Sequence, residues 1–150
     1  MNPKFREAVD SLHPTFERLI AAAPHVKDGK LPKQGVYLFI ENGKAMYAGR
    51  SNTIPRRLRQ HTSPGSQTNQ AALATLIARK ELGLPVDYRK GARERLLANH
   101  EFMTAFRRAK TRVSAMEFRA VEETDQTRQA LLEIYCAITL DTPFNDFGTH

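Results

Sequence analysis

Five side chains in this sequence have the types and spacing to move protons, hold a cation or contact an anion: Tyr37, Tyr47, Arg57, His61 and Glu133. The tyrosines belong to two strand-like runs, Val36–Ile40 and Ala45–Gly49, which are separated by Glu41-Asn42-Gly43, a stretch with hairpin-turn chemistry. Pro55 favours the first turn of a helix with Ile54 and Leu58 as its apolar edge, and Arg57 and His61, four apart, project from one face of it. Glu133 interrupts a helix that is otherwise nearly all apolar, with Leu131, Leu132, Ile134, Tyr135 and Ile138. It shares a stripe with Ala130 and Ala137, small neighbours that let another surface come close. A carboxylate facing inward needs a partner, either a bound cation or an arginine.

Whether the tyrosines share a face depends on the turn, because a one-residue change of register flips a whole strand. A two-residue Asn42-Gly43 turn pairs Glu41 with Lys44 and separates Tyr37 from Tyr47. A three-residue turn with Gly43 in a bulge pairs Ile40 with Lys44 and Tyr37 with Tyr47. The second choice is preferred, since it gathers Val36, Leu38, Ile40, Met46 and Ala48 on one apolar face and leaves Tyr37, Tyr47 and Gly49 on the other.

These residues resemble the GIY-YIG endonucleases, a family named for two strand tripeptides that read here Gly35-Val36-Tyr37 and Tyr47-Ala48-Gly49. The likeness continues with an arginine ten residues after the second tyrosine, Arg57, and a histidine four later, His61. It ends with a helix glutamate followed twelve residues on by an asparagine, Glu133 and Asn145. Val36 and Ala48 replace the isoleucines of the name, and Phe144 stands where a tyrosine often precedes the asparagine.

The resemblance implies a metal-dependent endonuclease that hydrolyses DNA phosphodiester bonds. Its fold would be an α/β module of the α+β type, a small three-stranded antiparallel sheet flanked by helices. Glu133 would hold a divalent cation, Mg2+ with Mn2+ as a substitute, since a single carboxylate suits a hard, largely hydrated ion that also meets substrate phosphate. Arg57 would contact the scissile phosphate, and Tyr37 would be the base if nearby cations lowered its pKa. Tyr47 would orient water or phosphate, His61 would share the proton work or touch the phosphate, and Asn145 would anchor the helix end. Lys44, Arg50, Ser51, Arg56 and Arg59 are further candidates for nucleic-acid contact.

Composition bounds the class. The 150 residues are 41% hydrophobic and 26% charged and carry one cysteine, which fits a single cytoplasmic domain with no internal disulfide and no membrane span. A net charge of +7 favours polyanionic partners, and it is unevenly spread. Gly35–Thr62 holds Lys44, Arg50, Arg56, Arg57 and Arg59 against Glu41 alone, whereas the stretch from Glu123 onward is acidic.

Residues 1–34 are expected to form one or two helices that cover the sheet, broken by Pro14 and ended near Pro24, with His13 and His25 at the surface. The nuclease-like module spans 35–147. Asn69–Leu82 is expected to be a helix, Ala92–Lys110 another, and 83–110 a helical insertion whose Arg93, Arg95, Arg107, Arg108 and Lys110 extend a basic surface. Arg112–Val121 should be the third strand, and Thr124 or Asp125 should cap a last helix running to about Leu140. Two rivals compete with the nuclease: a nucleic-acid-binding protein that keeps the scaffold without turnover, and a basic adaptor.

Overall fold

The computed structural model describes residues 1–148. Its elements run α1 (Pro3–Asp10), α2 (His13–Ala21), β1 (Gly35–Glu41), β2 (Lys44–Ser51), α3 (Ile54–Thr62), α4 (Ala72–Leu82), α5 (Ala92–Ala98), α6 (His100–Ser114), β3 (Glu117–Glu122) and α7 (Gln126–Leu140). The fold is α+β, with one three-stranded antiparallel sheet in the order β2-β1-β3 among the described residues. The described backbone divides into two compact units, Met1–Arg57 with Met116–Asn145 and Leu58–Ala115 with residues 146–148, so that α3 begins in one and ends in the other.

The first unit is the sheet with α1, α2, α7 and the start of α3. One face of the sheet supplies Val36, Leu38 and Ala48 to a core completed by Leu12, Phe16 and Leu19 from the N-terminal segment and by Leu132 and Cys136 from α7. As expected, the N-terminal stretch breaks into two helices at Pro14, which lies in the first turn of α2, where a proline gives up no helix bond. The other face is aromatic: Tyr37 stacks on Phe118 with ring centroids 5.2 Å apart, and Phe39 meets Phe118 edge-on at 5.0 Å. Beyond the sheet's own ladder, the Phe144 amide donates to the Met46 carbonyl on β2, and the His25 amide donates to the Phe118 carbonyl on β3.

The hairpin corrects the expected turn. Glu41 pairs with Lys44, and Asn42 and Gly43 both have positive φ, 51° and 77°, the signature of a two-residue type I′ turn. The extra residue lies further along: Ile40 pairs with Ala45 and Phe39 with Tyr47, which leaves Met46 as a bulge inside β2. This shift restores the parity that a two-residue turn alone would lose. Tyr37 is therefore opposite Gly49, with Tyr47 one position away on the same face.

In the second unit α4 runs against α6, burying Leu73, Ala74, Ile77 and Ala78 on the first and Phe102, Ala105, Phe106, Ala109 and Val113 on the second. Two expectations fail here. Ala92–Lys110 is two helices, because Asn99 leaves the helical region and its Oδ1 accepts from the Phe102 amide as the cap of α6. The expected third strand starts late, since Arg112–Ser114 still belong to α6, and Val113 is buried as part of its last turn. Residues 86–90 are loop.

Candidate active site

Tyr37 and Tyr47 hold their rings 6.5 Å apart, and the Arg57 side chain hydrogen-bonds to both phenols. Backbone chemistry makes this possible. Gly49 faces Tyr37 across the hairpin, and a Cβ there would lie 2.3 Å from the Tyr37 hydroxyl and ring. The ring lies in the space that a side chain would take, so Gly49 is needed for close approach. Gly35 is confined in another way: its φ is +150°, and a Cβ would meet the Val121 carbonyl at 1.9 Å.

Arg57 reaches the phenols from the first turns of α3, whose start is fixed locally. The Thr53 amide donates to Ser51 Oγ, the Ile54 amide donates to the Lys33 carbonyl, and the Arg57 amide returns to Thr53. The loop before α3 is also tied to α7, as Asn52 and Gln126 exchange amide hydrogen bonds of 3.1 and 2.7 Å. Buried Gln129 adds a bond to Asn52 and a second to the Glu123 carbonyl. Asn52, Gln126 and Gln129 were not legible as site residues, because each amide is ordinary until its distant partner is known.

Glu133, one turn beyond Gln129, is mostly buried and pairs with Arg50, Oε2 to Nε at 3.3 Å. Burial raises its pKa, and the Arg50 charge offsets only part of the shift. Arg50 is thus held by a carboxylate rather than freely offered to a phosphate. Asn145 takes both polar groups of Ala48: its Oδ1 accepts from the Ala48 amide at 2.8 Å and from Thr142 Oγ1 at 2.7 Å, and its Nδ2 donates to the Ala48 carbonyl at 2.7 Å. Ala48 lies between Tyr47 and Gly49, so the residues after α7 are tied to the strand that carries the site.

The phenol electrostatics run against the shift that a neutral-pH base requires. Burial raises the pKa of Tyr37 well above its usual 10.0, Tyr47 adds to the effect, and Arg57 lowers it by less. Tyr47 is raised as well, again by burial. Both phenols are protonated at neutral pH, ready to donate or orient and not to abstract a proton.

Tyr37, Tyr47, Arg57, Glu133 and Asn145 all belong to the first unit. His61, on α3 four residues past Arg57, belongs to the second and is fully buried. Of the expected nucleic-acid contacts, Arg56 and Arg59 are exposed, Lys44 donates to the Asp141 carbonyl, and Ser51 is used in the turn before α3. Much of the basic surface expected on α5 and α6 is already engaged: Arg95 with Asp87, Arg108 with Glu81, and buried Lys110 with main-chain carbonyls.

Among the described residues no three His, Cys, Asp or Glu side chains gather as a metal cluster. A lone, partly desolvated Glu133 beside phenolic oxygens fits a hard cation that keeps most of its waters, and does not fit a closed protein cage. No family model, curated protein or solved structure matches the chain.

Proposed function

We propose that the chain is a metal-dependent endonuclease of the GIY-YIG type, hydrolysing phosphodiester bonds in DNA. The observation that supports it most is the Arg57 guanidinium bonded to two phenols in the unit that also holds Glu133, whose charge is felt by both tyrosines. A phosphoryl group needs positive charge on its oxygens and an oriented water, and this arrangement offers both.

In this reading Arg57 exchanges a phenol contact for a phosphate oxygen, a charge-assisted bond stronger than the one it gives up. The Tyr37 and Tyr47 hydroxyls orient the attacking water. Glu133, now paired with Arg50, would hold Mg2+ or Mn2+, and Arg50 with exposed Arg56 and Arg59 would contact the phosphate backbone. When bound, the ion would supply charge at the phosphoryl oxygens and acidify a water, so that the water's proton can pass to bulk solvent without a protein base and Tyr37 need only donate or orient. Asn145 keeps Ala48, and with it the spacing of Tyr47 and Gly49, in place.

The test is a panel of duplex, branched and single-stranded DNA incubated with Mg2+, Mn2+ or chelator. Glu133→Gln is expected to abolish cleavage and leave DNA affinity nearly intact, as it removes the metal's ligand and not the basic surface. Full metal-dependent cleavage by that variant would overturn the assignment. A second reading, DNA binding without turnover, is favoured by the Glu133–Arg50 pair, which satisfies the carboxylate internally. No cleavage by the unaltered protein of any DNA in the panel, with affinity kept, would select it.

A further inference from the structure

A cavity of about 520 Å³ lies wholly within the second unit, between the loop after α3 and helices α5 and α6. Three cations line it: Arg93, Arg107 and Lys110. No carboxylate is among its lining residues. Lys110 is the unusual one. It is buried, its Nζ donates to the Pro64 carbonyl and, at 3.0 Å, to the Ser66 carbonyl, and it sits 4.8 Å above the centre of the Phe106 ring.

A buried ammonium is costly unless paired, and two carbonyls and a ring supply only part of what a counter-anion would. Burial pulls the Lys110 pKa down, and the charge of Arg107 adds to the effect. Among the described residues no carboxylate forms an ion pair with Lys110, although nearby Arg95 and Arg108 each have one. Ser66, Gln67 and Thr68 of the loop add polar groups to the lining, and Leu97, Met103 and Phe106 add apolar ones, with Leu97 exposed at 41%. Arg93 is already steadied by Gln67, whose Oε1 accepts from it at 2.9 Å.

We infer that this cavity binds a nucleotide unit, with its phosphate among Arg93, Arg107 and Lys110 and its base against Leu97, Met103 and Phe106. The volume falls in the range of small-ligand sites, and a lining that combines three cations with the apolar side chains of Leu97, Met103 and Phe106 suits a ligand with an anionic and an apolar part. A plain anion would leave the apolar wall unused. The same chemistry can come from a free nucleotide or from an unpaired nucleotide in a strand. The site stands on its own observations and does not depend on hydrolysis elsewhere in the chain.

Titration calorimetry of the intact chain with dAMP and with inorganic phosphate tests it. The expectation is that dAMP binds and phosphate binds at least about tenfold more weakly, because only dAMP reaches the apolar wall. Arg93→Gln and Arg107→Gln, both at exposed positions that spare the fold, should each weaken dAMP by about tenfold. Leu97→Ser should weaken dAMP while leaving phosphate nearly unchanged. Glu133→Gln should not affect dAMP, which keeps this result separate from the fate of the nuclease reading. A short oligonucleotide that displaces dAMP identifies the source as a strand, and one that does not identifies a free nucleotide. No dAMP binding, dAMP binding no tighter than phosphate, or dAMP binding unaltered in the double Arg93→Gln, Arg107→Gln variant would each overturn the inference.

Discussion

Tyr37 holds its proton tightly, and that has a consequence for stability as well as chemistry. Its folded pKa lies above the unfolded value of 10.0, so the stabilisation is fully present below pH 10 and is lost as pH rises through the folded value. Tyr47 acts in the same direction, and Cys136, raised by burial from 9.0 to about 12, brings the onset nearer pH 9. The urea midpoint should therefore fall steadily above pH 9, and Tyr37→Phe should make that fall shallower. A midpoint with no alkaline slope would mean that the phenols are not desolvated. The residue types of the site were legible: tyrosines, arginine, glutamate and asparagine stand out by kind and spacing. Their electrostatics were not, because the Tyr37 shift comes from burial, and the seat that buries it is the missing side chain of Gly49.

At the level of elements, the strands and α7 could be read because their signals are local: β-branched and aromatic runs, Asn-Gly between them, and Asp125 as a cap whose Oδ1 accepts from the Arg128 amide. The register could not. A bulged turn and a tight turn followed by a bulge at Met46 place Tyr37 and Tyr47 on the same face, and what distinguishes them lies far along the chain in Phe144, which bonds Met46. The start of β3 was hidden for a similar reason, as Val113 suits a strand or a helix turn equally well until α4 lies beside it. The tie from Asn145 to β2 is the element-level contact most open to test. Asn145→Ala leaves both Ala48 groups without that partner and should cost about 1–3 kcal/mol in chemical denaturation. Asn145→Asp, which keeps an acceptor and loses the donor, should recover part of this. An unchanged midpoint in Asn145→Ala would show that the contact contributes nothing.

For the molecule as a whole, the charge of +7 overstates what is available to a polyanion. Lys44, Arg50, Arg95 and Arg108 are exposed but already have partners in the fold and Lys110 is buried, which leaves Arg56 and Arg59 as the exposed arginines of α3. If these two and Arg57 make the phosphate contacts, log K for DNA against log salt should have a slope of about −2 to −3, at roughly 0.9 per neutralised phosphate. A slope two or three times steeper would show that the internally paired cations open on binding, and a flat one would point to a protein partner. Net charge could be read from the sequence, but which cations are free depends on tertiary partners.

The small sheet has a further property that follows from the bonds at its margins. A three-stranded sheet exposes two rows of main-chain groups that can recruit a strand from another molecule. Here β2 is occupied by the Phe144 amide and the Asn145 side chain, and β3 receives the His25 amide. The residues that steady Ala48 therefore also block intermolecular strand addition. Truncation after Asp141 should uncover Met46 and Ala48 and produce more concentration-dependent self-association by light scattering than the full chain shows. If the truncated chain scatters no more than the full one at equal concentration, the covered margin is not what keeps copies apart.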